Sequence, residues 1–211
     1  MADFVPSTTS YALLALLAIQ PWTGYELTQQ ARRSLHYAWP RSEANLYSEQ
    51  KRLVRAGWAV MVEETRGRRT RKRYEITPEG RRALRAWMRT APSAPELEIE
   101  GIVRIFFADQ GDVRDLGSAL RATGDQARDA IEGLCGFIED YIRTGGPFPD
   151  RLHLIAMAAD LVTDLLARID SFSREAADEV EQWETTKGQG LTSAARARME
   201  AILARRDPDR A

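Results

Sequence analysis

The stretch Thr65–Thr77, TRGRRTRKRYEIT, sets six cations within eight residues, Arg66, Arg68, Arg69, Arg71, Lys72 and Arg73, with no acid between them. Upstream, Trp58–Glu64 (WAVMVEE) carries β-branched and aromatic residues in rough alternation, and Arg73–Thr77 (RYEIT) does the same downstream. The pattern predicts a hairpin of two strands with a cationic tip. Its charge stands out because the whole chain of 211 residues has a formal net charge of only -1. Residues 1–90 hold 16 Lys and Arg against 8 Asp and Glu, a net +8, whereas residues 91–211 hold 14 against 23, a net -9. A chain so polarised suits a module that meets a polyanion at one end and shows a non-adhesive surface at the other.

Working outward, three short helices are expected before the hairpin. Ser7 and Thr8 offer N-caps to an apolar segment that reaches Ile19 and is ended by Pro21. Thr23 and Glu26 stand in capping-box spacing at the head of a helix over 24–35. Ser42 caps a third helix over 43–56, and Gly57 follows where helices commonly stop in a left-handed turn. After the hairpin, Thr77 and Pro78 supply a cap and first position for a helix to about Met88. Helix, helix, helix and a two-stranded ribbon is the order of a winged helix-turn-helix, in which the third helix enters the major groove and the wing approaches the backbone or minor groove. A cationic wing fits that role. Phosphates recur about every 1.7 Å along a duplex axis, and the planar Arg fork donates two hydrogen bonds to one phosphate. On the third helix, Leu46, Gln50, Leu53 and Gly57 project to one side and Asn45, Ser48, Arg52 and Arg55 to the other, with Tyr47 between. The second group is expected to face DNA.

TAPSAP, Thr90–Pro95, has linker composition and coincides with the change in charge sign. It divides residues 1–90, the expected winged-helix DNA-binding domain, from residues 91–211, the expected helical dimerisation and effector domain. The fold class is thus mainly α with one small wing. Helices are predicted over about 96–108, 112–143, 149–185 and 192–205. In the third of these, Ile155, Ala158, Val162, Leu165, Ile169, Phe172, Ala176, Val180 and Trp183 follow at heptad-like spacings, and Ala127, Ile131, Leu134, Ile138 and Tyr141 repeat the rhythm upstream. Such a seam closes either within the chain, as a bundle, or on a second chain. A helix of about 35 residues would be about 50 Å long, further than a domain of about 115 residues is wide. Length favours a dimerisation arm built on Ile155, Val162, Leu165, Ile169, Phe172, Val180 and Trp183. Among the aromatics, Phe106, Phe107, Phe137 and Tyr141 are candidates to line a flat effector pocket.

Other classes find less support. There is no Ser/His/Asp or Cys/His arrangement, no glycine-rich phosphate loop and, with only His36, His153 and Cys135, no metal-ligand spacing. No enzyme activity, catalytic residue, metal or cofactor is therefore expected. Cys135, flanked by Ile131, Leu134 and Ile138, reads as a buried thiol. The longest apolar run, Tyr11–Ile19, is too short for a bilayer and lacks signal-peptide flanks, so a cytoplasmic protein is expected. A winged-helix module that binds protein or RNA is the competing function.

Three segments resemble the PadR family of bacterial transcriptional regulators: YALLALLAIQPWTGYEL (11–27), WPRSEANLYSEQKRLVRAGW (39–58) and RKRYEITPEGRRAL (71–84). The resemblance covers about residues 10–88 and extends less specifically over the C-terminal helices, which are similar to the larger branch of that family. It implies homodimers that bind palindromic operators through the third helix and wing, usually repress, and release DNA when a small, in some relatives aromatic, molecule binds. Ser42, Asn45, Tyr47 and Ser48 match the start of the family's recognition helix, and Lys51 and Arg52 its basic pair. Gln50 departs, standing where an apolar residue is common, so a buried amide there needs partners. Replacing Arg69 and Arg71 with Ala is expected to weaken binding alike on all duplexes and to flatten its salt dependence; an unchanged slope in a titration over salt would remove the wing from the account.

Overall fold

The computed structural model describes residues 4–66 and 69–205, with residues 64–66, 69 and 70 described through their backbone alone. They form two compact units, divided between Pro95 and Glu96.

The first unit runs α1 (Thr8–Ile19), β1 (Trp22–Thr23), α2 (Gly24–Leu35), α3 (Glu43–Arg55), β2 (Ala59–Arg66), β3 (Arg69–Ile76) and α4 (Pro78–Trp87). Each helix begins where a side chain satisfies an orphan amide. Ser7 and Ser10 close a capping box on α1, Thr23 and Glu26 another on α2, Ser42 accepts from the Asn45 amide and Thr77 from the Gly80 amide. Gly57 adopts φ +73° after α3, the left-handed turn expected of it. Leu13, Leu14 and Leu17 of α1, Leu27 of α2, and Leu46 and Leu53 of α3 make the core, closed below by Trp22, Trp58, Tyr74 and Ile76.

The sheet has three antiparallel strands in the order β1-β3-β2. The two-residue β1 was not foreseen from sequence, and it anchors the wing because Trp22 pairs with Tyr74 and Thr23 with Arg73. The hairpin is also longer than predicted. The ladder continues through Glu63–Lys72, Glu64–Arg71 and Thr65–Thr70 to Arg66–Arg69, so most of the cationic run is strand rather than tip. Across from it stand the acids Glu63 and Glu64. Lys72 Nζ lies 3.5 Å from Glu63 Oε1, but both side chains are largely exposed and the pair adds little to stability.

The second unit comprises α5 (Glu100–Phe106), α6 (Val113–Thr144), α7 (Leu152–Val180) and α8 (Ser193–Ala204). Helices α6 and α7 run antiparallel, as the pairs Arg121–Glu181 and Arg128–Asp170 show. Leu116 and Leu120 pack on Ala176, Ala177 and Val180, with Phe172 and Trp183 against them. Gly124 sits against Ser173 and Asp170, where a Cβ would lie 3.2 Å from the Ser173 Cβ. At 29 residues, α7 is shorter than the sequence suggested and about 44 Å long. Trp183 lies beyond its end. Cys135 is exposed, contrary to expectation: neighbouring helix positions differ by about 100°, and Leu134 takes the inward place.

Two glycines separate packing from propensity. A Cβ on Gly80 would lie 2.1 Å from the Trp58 carbonyl oxygen, whereas one on Gly136 would meet nothing within 4 Å. Gly80→Ala is therefore expected to destabilise by about 1–3 kcal/mol, and Gly136→Ala, in the interior of α6, to stabilise by about 0.5–1 kcal/mol; thermal denaturation of the two variants checks both signs. The capping box makes a pH statement as well. Glu26 is held below the ordinary glutamate value of 4.5, first by the Thr23 amide that donates to it, against partial burial, then by the Thr23 hydroxyl and the charges of Arg73 and Arg71. A depressed folded-state value contributes stability that is full above the unfolded value and lost as pH falls through the folded one. Glu26→Gln is expected to lower the melting temperature at neutral pH, and the gap to wild type to close as pH drops below about 4.

Candidate nucleic-acid interface

Helices α2 and α3 cross at a glycine. A Cβ on Gly24 would stand 3.0 Å from Gln50 Oε1 and 3.3 Å from the Tyr74 ring, so the bare backbone is what lets α3 approach. Gln50 is 1% exposed. Its Nε2 donates to the Gly24 carbonyl at 3.1 Å and to Thr28 Oγ1 at 2.8 Å, which satisfies the amide nitrogen, while the buried Oε1 has no hydrogen-bond partner among the described residues. With Leu46, Gln50 and Leu53 turned in, the helix presents Ser42, Asn45, Ser48, Lys51 and Arg55 to solvent. Asn45 and Ser48 are free of side-chain partners among the described residues, while the Ser42 hydroxyl is engaged as the cap at 3.2 Å from the Asn45 amide. Tyr47 is half buried beside Gly24.

Arg52 behaves otherwise. Its guanidinium donates to Glu49 Oε2 at 2.8 Å and to the Val5 carbonyl at 2.9 Å, and it lies over the Phe4 ring. Sequence reasoning placed it on the outer face and overlooked Glu49, which is 4% exposed and accepts a hydrogen bond from Ser10 Oγ. The spacing of residues 49 and 52, one turn apart, was the available signal.

On the wing, Arg71 and Lys72 are exposed. Arg73 turns back instead, its Nη2 donating to the Pro21 carbonyl at 2.7 Å, so it ties β3 to the turn before α2. Arg66 and Arg69 face one another as the last ladder pair, with their side chains outside the description, and Arg68 lies outside the described residues. The surface brought together is thus the outer face of α3 and the exposed cations of β3, carried on one unit.

In the second unit the four aromatic candidates fall into two pairs, Phe106 with Phe107 at the end of α5, and the half-buried Phe137 one turn before Tyr141 on α6. Phe106 and Phe107 are 77% and 63% exposed at the end of α5, while Tyr141 is buried against Gly146 near the end of α6. A hollow of about 880 Å³ between α5, α6 and α7 is lined by none of them; Glu98, Asp115, Thr123 and Leu166 are among its walls. The proposed seam is likewise redistributed. Val180 is buried and Phe172 and Trp183 pack on α6, and Ile155, Val162 and Ile169 are half buried. Leu165 remains exposed, in line with Leu154, Met157 and Leu161 on the outer face of α7. Among the described residues no group of His, Cys, Asp and Glu is placed to hold a metal, and no helix is long and apolar enough to cross a membrane.

Residues 13–86 match the transcriptional regulator PadR-like family. The negative transcriptional regulator PadR of Bacillus subtilis (strain 168) is 26% identical over 157 residues, 72% of this chain and 86% of that protein. The crystal structure of Bacillus subtilis PadR in complex with operator DNA is similar with a TM-score of 0.67 at 18% identity, over 82% of this chain and 99% of that one. The complex of the same protein with p-coumaric acid gives 0.61 at 18% identity, over 85% and 100%. At that identity the structural likeness is one of fold, a winged helix followed by a helical unit. Together with the family match over α1–α4 and the curated relative, it makes this chain similar, through its winged-helix unit above all, to the PadR-like family of transcriptional regulators.

Proposed function

We propose that this protein is a sequence-specific DNA-binding transcriptional regulator that acts on a palindromic operator as a homodimer. Residues 1–90 form its DNA-binding domain and residues 91–211 its dimerisation domain. The observation that carries the reading is the outer face of α3: Asn45, Ser48 and Lys51 exposed along one side of a helix whose other side is locked into the core, with Arg71 and Lys72 exposed on the neighbouring wing. Asn reads adenine edges in the major groove, Ser and Lys hold phosphates, and the wing cations add salt-dependent affinity. In this reading Ser42 and Tyr47 place the helix start, and Arg66, Arg68 and Arg69 serve with Arg71 along the wing.

Dimerisation is supported by the outer stripe of α7. Leu154, Met157, Leu161 and Leu165 recur at spacings of three and four and are 48%, 73%, 63% and 46% exposed, an apolar face that a second copy covers. Repression, and release by a small effector, follow the Bacillus subtilis relative, which is a negative regulator and has been solved with p-coumaric acid.

The test is selection of duplexes by the purified protein, followed by competition against heterologous duplex at about 0.15 M salt. A palindromic consensus bound by one dimer is expected, and equal affinity for selected and heterologous DNA would refute the reading. On the selected site, Asn45→Ala is expected to cost about 1–3 kcal/mol and to relax the preference at one base pair of each half-site.

A further inference from the structure

Within the DNA-binding reading above, we propose that Glu49 and Arg52 are positioning residues: with Ser10 and the segment Phe4–Ser7 they form a clamp that fixes the recognition helix, and Arg52 does not contact DNA. Three observations converge on this. Glu49 is a carboxylate on α3 that is 4% exposed, and both its oxygens are engaged, Oε1 by the hydroxyl of Ser10 on α1 and Oε2 by Arg52. Arg52 is held at three points, by Glu49, by the Val5 carbonyl and by the Phe4 ring, 5.2 Å from its guanidinium carbon. The Phe4 ring in turn stands edge-on to Trp58 at 5.0 Å, just before β2, so Phe4 is held by both Arg52 and Trp58.

Arg52 cannot leave the clamp cheaply, although its side chain is 36% exposed. Swinging out to a phosphate would strip the buried Glu49 of its countercharge and leave a carboxylate unpaired in a low-dielectric site, a far worse state than the loss of one surface contact. The fork geometry of Arg suits the role it already has, since one nitrogen addresses a carboxylate while the other addresses a carbonyl. The clamp spans α1, α3 and the segment 4–7, and so fixes the rotation of α3 about its axis. That rotation decides whether Asn45 points at a base edge and Ser48 at a phosphate.

The experiment is a salt titration of binding to the selected palindrome with full-length wild type, Glu49→Gln, Arg52→Gln and the double variant Glu49→Gln/Arg52→Gln, whose neutral pair keeps a hydrogen bond should a single variant fold poorly. Each single variant is expected to lose about tenfold in affinity, with the double variant recovering to within about threefold of wild type, as residues of one network do. The slope against log salt is expected to stay unchanged in every variant. A slope shallower by about 0.9 in the double variant would show that Arg52 neutralises a phosphate and would overturn the clamp. So would single variants that bind like wild type, or a double variant whose loss is the product of the two single losses. Wild type without site preference would bring down the DNA reading itself and the clamp with it, an outcome distinct from a changed slope on a site that wild type prefers.

Discussion

The architecture of the first unit depends on the close crossing of α2 over α3 at Gly24. There the helix that opens with Thr23 and Glu26 lays its first turn against Gln50, and the Gln50 amide donates to the Gly24 carbonyl and to Thr28. The contact needs a glycine for space and an amide for satisfaction, and it leaves α3 one way to face. Once Leu46, Gln50 and Leu53 are inside, Asn45, Ser48 and Lys51 are outside. The exposed face of α3 is therefore set by how the core closes.

The buried polar groups of α3 extend that logic. A helix anchored by leucines alone can roll by a fraction of a turn, because apolar contacts are non-directional. Gln50 on one flank and Glu49 on the other convert the packing into hydrogen bonds with defined partners on α2 and α1. Directional bonds of this kind fix orientation through the Gln50 nitrogen and both Glu49 oxygens, while the Gln50 oxygen stays unpaired among the described residues. In a DNA reader, orientation is what must be specified, since an error of a few ångströms moves a side chain from one base edge to the next.

Much of this was legible in the sequence, and the reasons are local. Ser7, Thr23 with Glu26, Ser42, and Thr77 with Pro78 each mark a helix start through a bond that spans three residues, and Gly57 marks a stop through its own φ. What stayed hidden depends on partners far along the chain. β1 is two residues long and exists only because β3 pairs with it. The extension of β3 through the cationic run depends on the facing strand, with Glu63 and Glu64 across from Lys72 and Arg71. Arg52 and Arg73 carry the same charge as Lys51 and Arg71, yet the first pair reaches backbone carbonyls of Val5 and Pro21 and composition has no means of telling them apart. The heptad rhythm of α7 does not say which helix covers it; α6 takes Phe172, Ala176, Val180 and Trp183, and Leu154, Met157, Leu161 and Leu165 stay outside.

The most direct measurement attaches an iron chelate that cleaves DNA to a cysteine introduced by Ser48→Cys, with Cys135→Ser removing the native thiol, and maps strand breaks on the selected duplex. The account requires two clusters of cleavage in the major groove, related by the palindrome and separated by about one helical turn, 10–10.5 bp. Breaks spread evenly along the duplex, or a single cluster with no symmetry mate, would contradict it.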